Sequence, residues 1–142
     1  MNKELISKSS INLNASSTKT WEALVEPEIA KEYFFGAEIV TDWKVGSPIT
    51  FKGEFKGNKY EEKGILLKVE PNTQLQYSHW SHFDGLPDRP ENHRTWTFYL
   101  TEEEGITQLA VCENNIPTAK QKKRSDEFWG EVLLKIKRLV EK

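Results

Sequence analysis

Six side chains in the middle of this 142-residue chain are of the kinds that hold polar atoms or move protons: Tyr60, Glu62, Tyr77, His79, Arg94 and Glu113. Each lies at the end of an alternating apolar row. Tyr77 and His79 follow Leu75 and alternate with Gln76, Ser78 and Trp80. Arg94 shares parity with Trp96, Phe98 and Leu100, and Glu113 with Leu109 and Val111. In a β-strand, residues of one parity share one face, so these rows predict apolar inner faces with polar ends. A turn at Glu103 to Gly105 sets Phe98 opposite Leu109, Trp96 opposite Val111 and Arg94 opposite Glu113. The preceding loop sets Tyr77 opposite Trp96 and brings His79 beside Arg94. A hairpin at Gly57-Asn58 pairs Phe55 with Tyr60 and delivers Tyr60 and Glu62 to the same end.

A buried charge needs a partner, and Arg94 with Glu113 across two strands is a natural pair. His79 and Tyr77 are hydrogen-bonding groups that can orient a ligand's polar end. His79 or Glu113 is also where acid–base catalysis would have to sit. Two readings remain open: the cluster orients the polar end of an apolar ligand, or it is a solvated rim.

Other chemistries find less support. The three histidines are His79, His82 and His93. His79 and His82 fall on opposite strand faces, and no cysteine pair or helical His-x-x-x-His accompanies them, so we expect no metal site. No serine lies in a nucleophile-elbow context and no glycine-rich phosphate loop is present. Cys112 is read as a buried or half-buried lone thiol. No cofactor is expected.

These residues need a scaffold, and the last stretch, Thr118 to Lys142, dominates it. Phe128, Val132, Ile136 and Leu139, with Trp129, Leu133 and Val140 beside them, form one broad apolar helical stripe. Thr118 with Gln121 fits a capping box after Pro117, and Ser125 offers a second N-cap. Lys122, Lys123 and Arg124 oppose the helix dipole near Thr118, which predicts a frayed or kinked first turn. Such a helix, roughly 36 Å long at about 1.5 Å per residue, needs a large partner surface.

The upstream chain reads as that surface. Residues 4 to 14 are a first strand. Ala15-Ser16-Ser17 caps a short helix through Trp21, Leu24 and Val25, and Pro27 opens a second through Ile29, Tyr33 and Phe34 that ends at Gly36. Ala37 to Val40 is a short strand, and a cleanly alternating one starts at Ile49. In the strand from Lys59 to Glu70, Tyr60 and Glu62 point inward but Ile65, Leu67 and Val69 have the opposite parity, so a β-bulge at Gly64 is expected. Three more strands follow, with a loop from His82 to Asn92 between the first two. The fold class is α+β: a curved antiparallel sheet gripping a long C-terminal helix, with two short helices after strand one, as a single domain over residues 1–142.

The net charge is −2, with 20 Lys and Arg against 22 Asp and Glu, and no basic face stands out, which argues against nucleic acid. No run of residues has the length and apolarity of a secretory signal or a membrane span, so no membrane insertion is expected. One cysteine fits a reducing cytoplasm.

The order and spacing of several loose motifs resemble a known family. They are Ala15-Ser16-Ser17, Trp21-Glu22-Ala23-Leu24, Glu26-Pro27-Glu28, Tyr33-Phe34, Val45-Gly46-Ser47, Tyr60 to Gly64, Pro71 to Tyr77, Trp80, and Trp129 to Leu133. Together they resemble stand-alone members of the activator of Hsp90 ATPase homologue 1-like family, in the START-like (SRPBCC, Bet v 1-like) superfamily. Many members carry Thr-Asp-Pro-Glu where this chain has Val25-Glu26-Pro27-Glu28. The resemblance implies a helix-grip fold with a hydrophobic cavity under the long helix, and no shared catalytic motif.

Five Trp, four Tyr and seven Phe are more than a small core requires. The expected function is non-catalytic binding of a lipid-like or aromatic molecule between sheet and helix. Its expected lining is Phe51, Phe55, Trp96, Phe98, Val111, Trp129 and Leu133, with Tyr60, Tyr77, His79, Arg94 and Glu113 as polar contacts. The alternatives are a co-chaperone-like module with a chaperone partner and, third, a cyclase or hydrolase acting on a bound aromatic. The outer sheet face, with Ser78, Trp80, Thr95, Thr97, Tyr99, Ala110 and Cys112, carries little charge and suggests a weak homodimer.

Overall fold

A computed structural model describes residues 5–81, 83 and 85–142. The chain runs β1 (Leu5–Leu13), α1 (Ser17–Val25), α2 (Pro27–Tyr33), β2 (Glu38–Val40), β3 (Pro48–Phe55), β4 (Asn58–Glu70), β5 (Gln74–His79), β6 (Arg94–Glu103), β7 (Ile106–Ile116) and α3 (Ala119–Val140). A 3-10 turn at Pro90–Asn92 precedes β6. The seven strands form one antiparallel sheet in the order β1-β7-β6-β5-β4-β3-β2. The first strand closes onto the last, and one face of the sheet takes α3: the α+β helix-grip architecture.

Local chemistry sets the element ends. Ser16 caps α1 by accepting from the Lys19 amide at 3.1 Å. Pro27 occupies the first turn of α2, where its missing N–H costs nothing. Thr118 caps α3 by accepting from the Gln121 amide at 3.1 Å. The helix is continuous from Ala119, so the fraying expected from its basic first turn is not seen. Lys122 pairs with Asp126 one turn on, at 2.8 Å, and Asp126 accepts from Ser7 of β1 at 2.5 Å, which ties this turn to the sheet. Ser125, the alternative cap, is buried within the helix. Trp129, Val132, Leu133, Ile136 and Val140 make the buried stripe.

Three registers differ from expectation. The β3–β4 and β6–β7 hairpins each turn on two residues with positive φ, Lys56-Gly57 and Glu104-Gly105, as type I′ turns require. The first therefore pairs Phe55 with Asn58 and sets Tyr60 opposite Gly53. The second pairs Glu103 with Ile106, which puts Trp96 opposite Glu113 and Phe98 opposite Val111. Each shift is two residues, so every side chain keeps its face. The pairs Tyr77 with Trp96 and His79 with Arg94 are as expected.

The third difference is the bulge, which lies between Leu66 and Lys68 rather than at Gly64. Leu66 is consequently buried while Ile65 and Leu67 are exposed. Gly64 has a different role. A Cβ there would run into the Ser78 carbonyl oxygen, so the glycine permits close approach of β5 to β4.

Candidate ligand-binding site

The middle of the sheet–helix interior is filled. Tyr77, Phe98, Val111, Trp129 and Leu133 are all at most 2% exposed. Trp129 meets Phe98 edge-on at 5.7 Å and Trp96 edge-on at 4.7 Å. These five expected lining residues form packed core and border neither opening described below. The Tyr77 phenol is buried and its pKa lies well above the ordinary tyrosine value, because burial disfavours the charged form and Tyr33 is nearby.

Space opens at the end where α2, β3, β4 and the first half of α3 converge. An apolar cleft of about 520 Å³ is lined by Phe34, Phe35, Ala37, Phe51, Phe55, Tyr60, Glu62, Phe83, Trp96 and Phe128. Its size lies in the range of small-molecule sites. Phe51, Phe55, Tyr60 and Trp96 are expected lining residues that the fold brings together here. Phe34 and Phe128 lie nearly parallel, 6.3 Å apart, as one wall. Phe55 and Tyr60 each meet Phe83 edge-on, at 6.3 and 5.7 Å. Tyr60 reaches inward because its partner is Gly53: its ring occupies the place a Cβ there would take. Burial and the nearby Glu62 carboxylate raise the pKa of Tyr60.

A second, polar recess of about 270 Å³ adjoins the cleft and shares Glu62, Phe83, Trp96 and Phe128 with it. Its other walls are His79, Ser81, Arg94, Glu113, Gln121, Arg124 and Ser125. Arg94 Nη1 donates to Glu113 Oε2 at 2.9 Å, both side chains being buried. The register makes this contact diagonal rather than directly across strands, and the long guanidinium stem spans the difference. Arg94 Nη2 donates to the Gln121 side chain, and the indole N–H of Trp129 donates to Glu113 Oε1 at 2.8 Å. Both Glu113 oxygens thus hold charge-assisted or buried donors, which compensates its desolvation. His79 Nε2 lies 3.1 Å from Glu62, and its ring stacks on Trp96 at 3.8 Å.

His93 pairs with Asp88 at 2.8 Å, away from His79, and His82 lies outside the described residues. Among the described residues no three metal-ligating side chains gather. Trp80 is partly covered, its indole donating to the Leu86 carbonyl at 3.1 Å, so the loop before β6 accounts for its outward position.

Phe34, Phe35, Phe83, Phe128, Gln121 and Arg124 border the openings without having been anticipated as lining. Phe34 and Phe128 were legible as apolar helix residues but not as bordering a space. Phe35 has φ of 54° in the turn after α2, where no periodicity signals direction. Phe83 belongs to a loop without pattern.

The match to known proteins agrees with this architecture. The model of the family described as Activator of Hsp90 ATPase homolog 1-like protein matches residues 14–141. No curated protein matches the chain. Among solved structures, ChR145 from Cytophaga hutchinsonii is 42% identical with a TM-score of 0.84, covering 99% of this chain and 97% of that one. The Aha1 dimer from Colwellia psychrerythraea is 21% identical with a TM-score of 0.76, over 96% of each chain. DynU16, from the dynemicin biosynthetic locus, is 17% identical with a TM-score of 0.76, over 96% of this chain and 47% of that one. The last two likenesses concern the fold alone. Since the family match spans nearly the whole helix-grip unit, from just after β1 through α3, this chain belongs to the Activator of Hsp90 ATPase homolog 1-like family.

Proposed function

We propose that this protein binds a hydrophobic small molecule, lipid-like or aromatic, without chemically changing it. The observation that carries the reading is the apolar cleft of about 520 Å³ opening directly onto the polar recess around Arg94 and Glu113. An apolar body buried against Phe34, Phe51, Phe55 and Phe128 gains hydrophobic free energy in proportion to the area covered. The polar groups at the recess orient it. The Arg94–Glu113–Trp129 network holds that floor in place, since each member is already hydrogen-bonded. Tyr77, Phe98, Val111, Trp129 and Leu133 support the site from behind.

Native mass spectrometry of freshly purified protein tests this, together with titration of Trp fluorescence by 2-acetylnaphthalene. We expect a bound mass or saturable binding, weakened by Phe55→Ala. Absence of both signals at millimolar probe would overturn the reading.

A second reading is a protein-binding module, favoured by the family's namesake and by the rim of the cleft. Phe35, Phe55 and Phe83 are 49%, 57% and 57% exposed there, an apolar edge of the kind that partner proteins cover. Retention of a chaperone by wild-type protein, lost on Phe55→Ala and Phe83→Ala, would favour it over the first. We also propose weak self-association through the outer face around Tyr99, Ala110 and Cys112. A monomeric mass by light scattering at high concentration would dispose of that.

A further inference from the structure

The mouth of the apolar cleft is built from the ends of separate elements. Phe35 sits in the turn after α2, Phe55 at the end of β3 and Phe83 in the loop before β6, and about half or more of each ring is exposed. Apolar surface gathered in this way marks a contact site. Cations are interleaved with the rings. The Lys56 ammonium, at the tip of the β3–β4 hairpin, lies 5.4 Å from the centre of the Phe55 ring. The Lys135 ammonium of α3 lies 4.9 Å from the centre of the Phe35 ring. Arg124, exposed on α3, borders the adjoining recess, which shares Phe83 with the cleft. The solvent side of α3 continues this charge. It carries Lys120, Lys123, Arg124, Lys135, Arg138 and Lys142 against Glu127 and Glu131, while Lys122 and Lys137 pair with Asp126 and Glu141. The whole chain has a net charge of −2, so positive charge is concentrated on this side.

We propose that this rim is a docking surface for an anionic lipid bilayer, with the mouth of the cleft turned toward the membrane. A headgroup layer suits the pattern better than a protein partner does. It offers phosphate and water to the ammonium groups while the acyl boundary takes the rings. A protein covering the same rings would have to desolvate the lysines that lie against them, and lysine is depleted in such interfaces. The contact is peripheral, with the three rings at the headgroup boundary. The inference rests on the binding reading for its purpose, since a docked mouth lets a lipid-like ligand pass without crossing water. It does not rest on that reading for its geometry.

Sedimentation with phosphatidylcholine vesicles, with and without about a third phosphatidylglycerol, tests this. The protein should bind the anionic vesicles and bind the neutral ones roughly tenfold more weakly or less. Binding should fall steeply in 1 M NaCl, where charges are screened beyond about 3 Å. Lys56→Gln combined with Lys135→Gln should weaken it roughly 25-fold, about fivefold per lysine. Phe35→Ser combined with Phe83→Ser should weaken it at least as much. A nitrobenzoxadiazole label attached through Phe83→Cys, in a Cys112→Ser background, should brighten on the vesicles. The same label attached through Glu104→Cys, in the turn at the opposite end of β6 from Arg94, should not. No binding to anionic vesicles, equal binding to neutral ones, binding that survives both double variants, or brightening at position 104 as great as at 83 would each overturn the inference. Retention of a chaperone without vesicle binding would assign the rim to a protein partner and overturn it as well. Titration with 2-acetylnaphthalene in solution reads the cleft separately, so docking can fail while the binding reading stands, and the reverse. Should a double variant fail to fold, the lipid and salt dependence and the two labels still decide.

Discussion

The two ends of the sheet–helix interior use the same residue types to opposite effect. Around Tyr77, Phe98 and Trp129 the aromatic rings interlock and are at most 2% exposed. Around Phe51, Phe55 and Phe128 rings of the same kind line a cleft of about 520 Å³. Aromatic content therefore does not distinguish core from site. What differs is what faces the rings. At the closed end, α3 lays Trp129, Leu133 and Ile136 directly on the sheet. At the open end the rings face the cleft instead, and Phe35 and Phe55 stand about half exposed at its edge.

The largest expected effect lies in the closed half. Trp129→Ala removes a fully buried ring and the donor to Glu113, so it should cost about 3–5 kcal/mol in urea unfolding. A loss below about 1 kcal/mol would mean that this end is as loosely filled as the other.

Next comes the boundary between the halves. Arg94→Met leaves Glu113 buried beside Trp129 without its cation, and should cost about 3 kcal/mol. Combining it with Glu113→Met should recover most of that loss, because the uncompensated charge goes with it. Additive losses in the double-mutant cycle would show that the pair is not coupled.

Alkaline titration separates the halves through their tyrosines. Burial holds the pKa of Tyr33 and Tyr77 above the ordinary value of about 10, while an unfolded chain releases those protons near it. The native state then binds more protons than the unfolded state above that pH. The stability contributed by the neutral phenols is thus fully present below pH ~10 and declines as pH rises further. Tyr60, in the open cleft, is raised as well but only partly buried. In a spectrophotometric titration Tyr60 should ionise before Tyr77, with Tyr77 ionising only as the fold opens; the reverse order would break the distinction between the two ends.

The smallest effects on stability belong to the rim. Phe55→Ala and Phe83→Ala should each cost less than about 1 kcal/mol, since both rings are more than half exposed, yet each should weaken probe binding several-fold. A large loss of stability from either would turn the cleft into a structural contact.

The rim also shows where reading the chain succeeds and fails. His79, Arg94, Glu113, Tyr60 and Glu62 lie at one end of the inner face, because strand parity gives the face, the hairpin turns give the end, and both survive a two-residue change of register. Phe35 and Phe83 are not legible in the sequence, because each lies outside a helix or strand whose period could assign it a face. The change of parity in β4 predicts a bulge, but not its position, which is between Leu66 and Lys68. The glycine that marks the change serves the approach of β5, and the extra residue lies three positions later.

The amino-acid sequence by itself determined the order of the elements, their inner faces and the long helix, since hydrophobic periods, caps and turn residues act locally or over one hairpin. Tertiary structure alone decided which aromatics interlock and which leave room. That outcome depends on how α3, the turn after α2 and the loop before β6 meet the sheet across long separations in sequence. Close packing makes a difference of one ring the difference between core and cleft.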